Sequence, residues 1–349
     1  MTEPLLELRG VRTVFRTGSG DVPAVDDVTL ELGHGRVMAI IGESGSGKSA
    51  LLRTILGIQP PTARESGEIL LDGRDLLTLS KKARADTRGR LVSMVFQDPM
   101  TALDPVFTVE EQLVETLRRH LPLGRAEARR RALELLELVQ IPAAASRLKA
   151  YPFEMSGGMR QRVVIAMALA CEPALLLADE PTTALDVTVQ AKILDLVREI
   201  QRERRMGVLI VTHDLAVAAA IADDVGVMYA GRLVEYGPVE KVILEPGHPY
   251  TRGLLAANVL PGQQTRPRSI PGAPPSLQRL PPGCAFAPRC DVATVECWER
   301  QPPQVTTGPG TWSRCLHAQE LVGVPVPQAG LRPDHPTPTT PRENSRVRT

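Results

Sequence analysis

Residues 42 to 49 read Gly42-Glu43-Ser44-Gly45-Ser46-Gly47-Lys48-Ser49 and follow the apolar run Val37 to Ile41. Glycines at these positions let a chain wrap so that successive backbone N–H groups point inward at phosphate oxygens. A lysine at the end reaches the β and γ phosphates, and the serine hydroxyl ligates Mg²⁺. A second element, Asp179-Glu180, closes the apolar run Leu175 to Ala178. Two carboxylates delivered at a strand end can divide the work: Asp179 holds the metal, directly or through water, and Glu180 polarises an attacking water. A third is Ser156-Gly157-Gly158-Met159 ahead of a helix read from Arg160 to Ala170. Ser156 is placed to cap that helix, and the two glycines leave N–H groups open to an anion, although a plain N-cap reads the same way.

The elements needed to position these groups are legible in the pattern. The segment Lys48 to Leu56 reads as a helix stopped by Gly57, so a helix N-terminus also faces the anion. Strand-like runs at Val92 to Phe96, Leu175 to Ala178 and Val208 to Thr212 alternate with helical patterns, the signature of an α/β body with a mostly parallel sheet. Alternating segments at Leu5 to Phe15 and Val25 to Leu32, with Gly67 to Asp72, predict a small antiparallel sheet. Between Thr108 and Gln140 the periodicity is helical, with Ala128, Ala132, Leu135, Leu136 and Val139 on one face, and we read an inserted helical subdomain over about 98–160. A helix from Val187 to Arg205 ends in a basic stretch suited to its dipole.

The chain has 349 residues, room for one large domain and one small one. Its 41 basic and 40 acidic residues balance to a net charge of +1, which gives no case for nucleic acid as the main partner. The first residues lack a basic and an apolar region of the secretory kind, and the most apolar stretch, Val163 to Ala178, is interrupted by Glu172 and Pro173. The expectation is a chain that is soluble by itself, anchored by something else if it works at a membrane. From about residue 237 the character changes: eight prolines between Pro261 and Pro288 make a semi-rigid connector, four cysteines follow within 32 residues, and the chain after about Val324 reads as a disordered tail.

Five segments stand in one order: GESGSGKS, FQDP at 96–99, MSGGMRQR at 155–162, LLLADEPTTALD at 175–186 and VTHD at 211–214. In this they resemble the nucleotide-binding subunit of ATP-binding cassette (ABC) transporters over about residues 5–245. The resemblance implies a P-loop NTPase core with the two subdomains named above, binding ATP and Mg²⁺. It implies that Gln97 senses the γ phosphate and the metal and contacts the membrane subunits, that Asp186 lies at a dimer seam, and that His213 holds the γ phosphate. It also implies that Phe15, 27 residues before Gly42, stacks on adenine. Each has a plainer alternative: Gln97 a loop polar group, His213 a cap at a strand end, Phe15 core. The signature segment has Met155 and Met159 where Leu and Gln are commonest; the first swap is isosteric, and the second removes a polar side chain while leaving the Ser156, Gly157 and Gly158 donors.

A narrower resemblance is to the D-type ATPase subunit of oligopeptide and dipeptide importers, carried by residues 97–109, 151–173, 181–196, 245–255 and PPGCAFAPRC at 281–290. It implies an enzyme that hydrolyses ATP at the cytoplasmic face of the membrane and clamps it with a second, non-identical ATPase subunit. Two permease subunits and an extracytoplasmic peptide-binding protein would complete the assembly. A soluble cassette ATPase acting on other machinery, a clamp without hydrolysis, or another cargo such as nickel chelates or glutathione-like peptides are the alternatives. The resemblance divides the chain into an ATP-binding domain over 1–245, a C-terminal importer-type domain with the cysteines over 246–323, and a tail over 324–349.

Cys284, Cys290, Cys297 and Cys315 are spaced by 5, 6 and 17 residues, which is not the paired-knuckle form of zinc sites. An all-thiolate set suits zinc or an iron–sulfur cluster, with free thiols or a disulfide as the remaining possibility. Relatives of the D-type subunit hold a 4Fe-4S cluster at similar positions, so the resemblance favours that. Cys171 reads as core packing; His248 is unassigned, and His317 is a candidate substitute ligand.

Overall fold

A computed structural model describes residues 3–182, 185–257 and 268–324; the tail read after Val324, and the connector positions up to Pro267, lie outside the described residues. The chain opens with β1 (Leu6–Thr17) and β2 (Gly20–Leu32), then the short, wholly buried β3 (Val37–Ile41). There follow β4 (Ala63–Leu71), β5 (Arg74–Asp75), β6 (Val92–Val95), β7 (Leu175–Asp179), β8 (Gly207–Thr212), β9 (Asp224–Tyr229) and β10 (Arg232–Pro238), and finally β11 (Val305–Gly308) and β12 (Thr311–Ser313). Two sheets result, an antiparallel one in the order β2-β1-β4-β5 and a larger one in the order β11-β12-β10-β9-β3-β8-β7-β6.

The central five strands, β9-β3-β8-β7-β6, run parallel. Because side chains alternate across a strand, each of these buried runs feeds two cores. Met38, Ile40, Leu175, Leu177, Leu209 and Val211 pack towards the antiparallel sheet with Leu6, Leu8, Val28 and Leu52. Val37, Ala39, Ile41, Leu176, Ala178, Val208 and Ile210 face the other way, into the helices. The continuous apolar runs read from the sequence are thus strands covered on both faces.

The helical insertion departs from one unbroken periodicity. It is two helices, Val109–His120 and Arg125–Leu138, separated at Leu121 to Gly124, where Pro122 has no N–H to donate. A reciprocal box of Thr108 and Glu111 starts the first. The stripe of Ala128, Ala132, Leu135, Leu136 and Val139 is buried, as its spacing requires.

The boundary near residue 245 does not interrupt the main sheet. The β11–β12 hairpin comes back to pair β12 with β10, Glu235 opposite Ser313 and Tyr236 opposite Trp312. Tyr229 of β9, Tyr250 of the helix Pro249–Ala257 and Phe286 of the cysteine-rich segment share one cluster, with ring centroids 4.5, 5.3 and 5.4 Å apart. In a chain with 3% aromatics, this cluster is where the C-terminal region docks. Among the described residues no helix is long and apolar enough to cross a membrane.

Candidate functional site

The glycine-rich loop leaves β3 and enters the helix Lys48–Leu56. Two glycines are required by close approach. A Cβ on Gly42 would lie 2.2 Å from the carbonyl oxygen of Met228 on β9, and one on Gly47, at φ +105°, would lie 2.1 Å from that of Ala24 on β2. The loop is therefore clamped between the two sheets. Lys48, only 6% exposed, turns back and donates to the carbonyl oxygens of Gly42 (2.7 Å) and Glu43 (3.0 Å). Burial lowers its pKa, while Glu180, Asp179 and Glu43 pull the other way. The helix ends as read, Gly57 in the left-handed region with its N–H on the Arg53 and Thr54 carbonyls.

Ser49 and Asp179, 130 residues apart in sequence, meet at the strand ends: the serine hydroxyl donates to Asp179 Oδ1 at 2.8 Å. Burial raises the Asp179 pKa, and the Ser49 hydrogen bond opposes that rise. A hydroxyl and a carboxylate are the hard oxygen donors that Mg²⁺ takes.

Glu180 is the first residue beyond β7, with φ at +46°. Its N–H donates to the Val211 carbonyl of β8 at 2.9 Å, so the chain turns sharply and the side chain faces the neighbouring strand ends. There Gln97, just past β6, donates through Nε2 to Glu180 Oε2 at 3.1 Å, and His213 Nδ1, just past β8, lies 3.1 Å from Glu180 Oε1. Three adjacent parallel strands thus deliver a glutamine, a glutamate and a histidine to one point at their carboxyl ends, where such sheets bind ligands.

Ser156, Gly157, Gly158, Met159 and Asp186 make a separate corner. The helix begins at Gly157, earlier than read, and runs to Leu169; Ser156 Oγ accepts from the Met159 N–H at 3.3 Å. Gly158 packs so closely on Val189 that a Cβ would come within 2.7 Å of its Cγ1. Asp186 caps the helix Val187–Arg204, accepting from the Val189 N–H at 3.0 Å, and Arg205 ends that helix in the left-handed region. The contacts of this corner run between the two helix starts. Phe15 is half-buried on β1, opposite Val22 and Ala63. Within the loop, Ser44 and Gly45 are exposed, whereas Ser46 is buried and its hydroxyl has no hydrogen-bond partner.

Glu43 makes contacts that sequence reasoning missed. Its carboxylate is gripped by Arg289 Nη1 and Nη2 at 2.6 and 3.1 Å, and its N–H donates to the Tyr250 hydroxyl at 2.7 Å. These partners are 246 and 207 residues away. No spacing rule reaches that far.

The four C-terminal cysteines are free thiols, two half-buried and two buried. Burial pushes the Cys290 and Cys315 thiols up to about 12, and nearby thiols add to the shift. The Cys284 N–H donates to the Cys297 carbonyl at 2.7 Å, His317 Nε2 lies 3.8 Å from Cys297 Sγ, and the His317 N–H points at Cys315 Sγ at 3.4 Å. Among the described residues, however, no three His, Cys, Asp or Glu side chains form a group able to hold a metal ion.

The model of the ABC transporter family matches residues 25–183, and that of the oligopeptide/dipeptide transporter C-terminal region matches residues 234–297. A Brucella melitensis protein, provisionally named a peptide import ATP-binding protein, is 48% identical over 336 residues, covering 91% of this chain and 98% of its own. The chain belongs to the ABC transporter family of ATP-binding proteins. The oligopeptide transport ATP-binding protein OppD of Salmonella typhimurium is 46% identical over 317 residues, covering 90% of this chain and 94% of its own. Among solved structures, the dimeric post-hydrolysis state of the ATP-binding cassette MJ0796 bound to ADP and Pi superposes with a TM-score of 0.61 at 30% identity, covering 67% of this chain and 98% of that one. The architecture expected of the cassette core is therefore the one observed.

Proposed function

We propose that this chain is the ATP-hydrolysing subunit of an ABC importer of di- and oligopeptides. The observation that carries the reading is the placement of Glu180 between Gln97 and His213, beside the Ser49–Asp179 pair. Backbone N–H groups of the loop and the Lys48 ammonium receive the β and γ phosphates of ATP. Ser49 and Asp179, with Gln97 close by, would hold Mg²⁺, whose charge offsets that of the phosphates. Glu180 takes a proton from the attacking water as its oxygen bonds to the γ phosphorus. The bond from that phosphorus to the β–γ bridging oxygen breaks, leaving ADP and inorganic phosphate. His213 steadies the charge on the γ-phosphoryl group as it passes to water and ADP leaves.

The corner of Ser156, Gly157, Gly158, Met159 and Asp186 completes the nucleotide site of a second, non-identical ATPase subunit, while Phe15 stacks on the adenine of the nucleotide held by this chain's own loop. Two chains facing head to tail satisfy the distance in sequence between loop and signature. The permease face is supported by exposed apolar side chains around the helical insertion and Gln97: Phe96, Val106, Phe107, Tyr151 and Phe153. Tyr151 and Phe153 stack at 5.5 Å, a rigid platform of the kind that buries a partner helix. ATP, bound more tightly by the closed pair than by the open one, drives closure, and hydrolysis releases it. In this reading the chain sits peripherally at the cytoplasmic face, and peptide arrives through two permeases from an extracytoplasmic binding protein.

Cys284, Cys290, Cys297 and Cys315 would hold a 4Fe-4S cluster, cross-linking a region with little core of its own. What supports this reading is the all-thiolate donor set, which suits iron–sulfur chemistry, and a spacing that departs from the paired knuckles of zinc sites. Reconstitution tests the function: vesicles holding two permeases, a second ATPase and this chain should accumulate labelled peptide only with ATP and the binding protein present. Uptake indifferent to ATP would refute it.

A further inference from the structure

Arg289 stands immediately before Cys290, yet its side chain, 4% exposed, belongs to the phosphate loop. Two prongs of its guanidinium hold the Glu43 carboxylate at 2.6 and 3.1 Å, its Nε donates to the Pro271 carbonyl at 2.9 Å, and its Cζ lies 5.9 Å from both the Tyr229 and Phe286 ring centroids. That fork is fixed on every side. Glu43 in turn is held at its carboxylate by Arg289, at its N–H by Tyr250, and at its carbonyl by Lys48 at 3.0 Å and the Ser46 N–H at 3.2 Å. Two of these holders, Tyr250 and Arg289, lie beyond residue 245, outside the residues 25–183 that the ABC transporter family model matches. The connector adds a further tie, Gln278 Nε2 reaching Ser19 Oγ at 2.8 Å on the β1–β2 hairpin that carries Phe15.

An acidic residue second in a phosphate loop is electrostatically awkward, because a bare carboxylate there would repel a triphosphate in a partly dehydrated site. Arg289 neutralises it and orients it. We propose that Arg289 is a positioning residue for the nucleotide, supplied by the cysteine-rich region, so that the integrity of that region sets the affinity of the phosphate loop for ATP. This rests on the nucleotide-binding reading above. It predicts that the charge of Glu43 is what makes loss of Arg289 costly.

The test is binding of a fluorescent ATP analogue with Mg²⁺ to the purified full chain, across wild type, R289A, R289K, E43Q and the R289A/E43Q double variant, each first checked for folding by its thermal transition. R289A should bind on the order of tenfold more weakly than wild type, with R289K between them. In the E43Q background, removing Arg289 should change affinity by less than about threefold, a rescue that a purely structural brace would not give. In the reconstituted ATPase, the loss should appear in KM rather than kcat. Equal affinity of R289A and wild type, or a double variant as weak as R289A itself, would overturn the proposal. Failure of the wild-type chain to bind the analogue at all would overturn the nucleotide reading instead, and the two failures are distinguishable.

Discussion

His213 Nδ1 lies 3.1 Å from Glu180 Oε1, across the gap between the ends of β8 and β7. The contact joins two residues whose backbones are already linked, since the Glu180 N–H donates to Val211, two residues before His213. Replacing His213 by Ala should therefore leave nucleotide affinity within a few-fold of wild type and lower kcat by on the order of 10²-fold, because the group acts on charge that develops late. Phosphate release under saturating ATP, set beside a binding isotherm, separates the two effects.

Gly47 has no room for a methyl group and sits at φ +105°. Gly47→Ala forces strain and a collision with the Ala24 carbonyl together, so it should cost about 2 kcal/mol or more of stability and abolish nucleotide binding. Urea unfolding measures the first and a binding assay the second. A variant with unchanged midpoint and affinity would mean that the loop is not clamped between β2 and β9.

Glu235 on β10 is buried, accepts from the Gly247 N–H at 2.5 Å, and has its pKa pushed up by desolvation from an ordinary 4.5 to about 7. The folded chain thus holds a proton that the unfolded chain releases, so this group's contribution to stability is fully present below about pH 4.5 and is lost as pH rises to about 7. His248, pushed down by burial from 6.5 to about 3, has the opposite slope and costs stability as pH falls below 6.5. Glu235→Gln removes the first term alone. Relative to wild type, it should gain up to about 3 kcal/mol more at pH 8 than at pH 4.5, read from denaturant midpoints at the two pH values.

Phe153 is 67% exposed and stacks on Tyr151. If that platform receives the permease, Phe153→Ala should leave ATP turnover of the purified chain within twofold of wild type and lower ATP-dependent peptide uptake of the assembled transporter at least fivefold, consistent with loss of an aromatic interface anchor worth about 1–2 kcal/mol. Uptake that falls only in step with hydrolysis would place the residue elsewhere.

What could be read in advance was local. The loop and its helix, the paired carboxylates and the apolar run of β3 are written in contiguous residues, and each stands where its pattern put it. The insertion was legible as helical and apolar on one face, but a periodicity that holds phase on both sides of Pro122 hides the break. The approach of Arg289 and Tyr250 to Glu43 carries no periodic signal, because the partners come together only when the whole sheet has formed and the C-terminal hairpin returns to β10. The cysteines illustrate the converse: their spacing predicts a shared centre, yet among the described residues no group able to hold a metal ion forms, because thiol geometry depends on backbone turns that spacing does not encode.

The central claim is that Glu180 activates the water that cleaves ATP. It is tested most directly by phosphate release from Glu180→Gln alongside its bound-nucleotide content. The account predicts ATP bound with near wild-type affinity and turnover reduced by on the order of 10²-fold or more, since the amide keeps the contacts with Gln97 and His213 and cannot accept the proton. Phosphate release at the wild-type rate would contradict it.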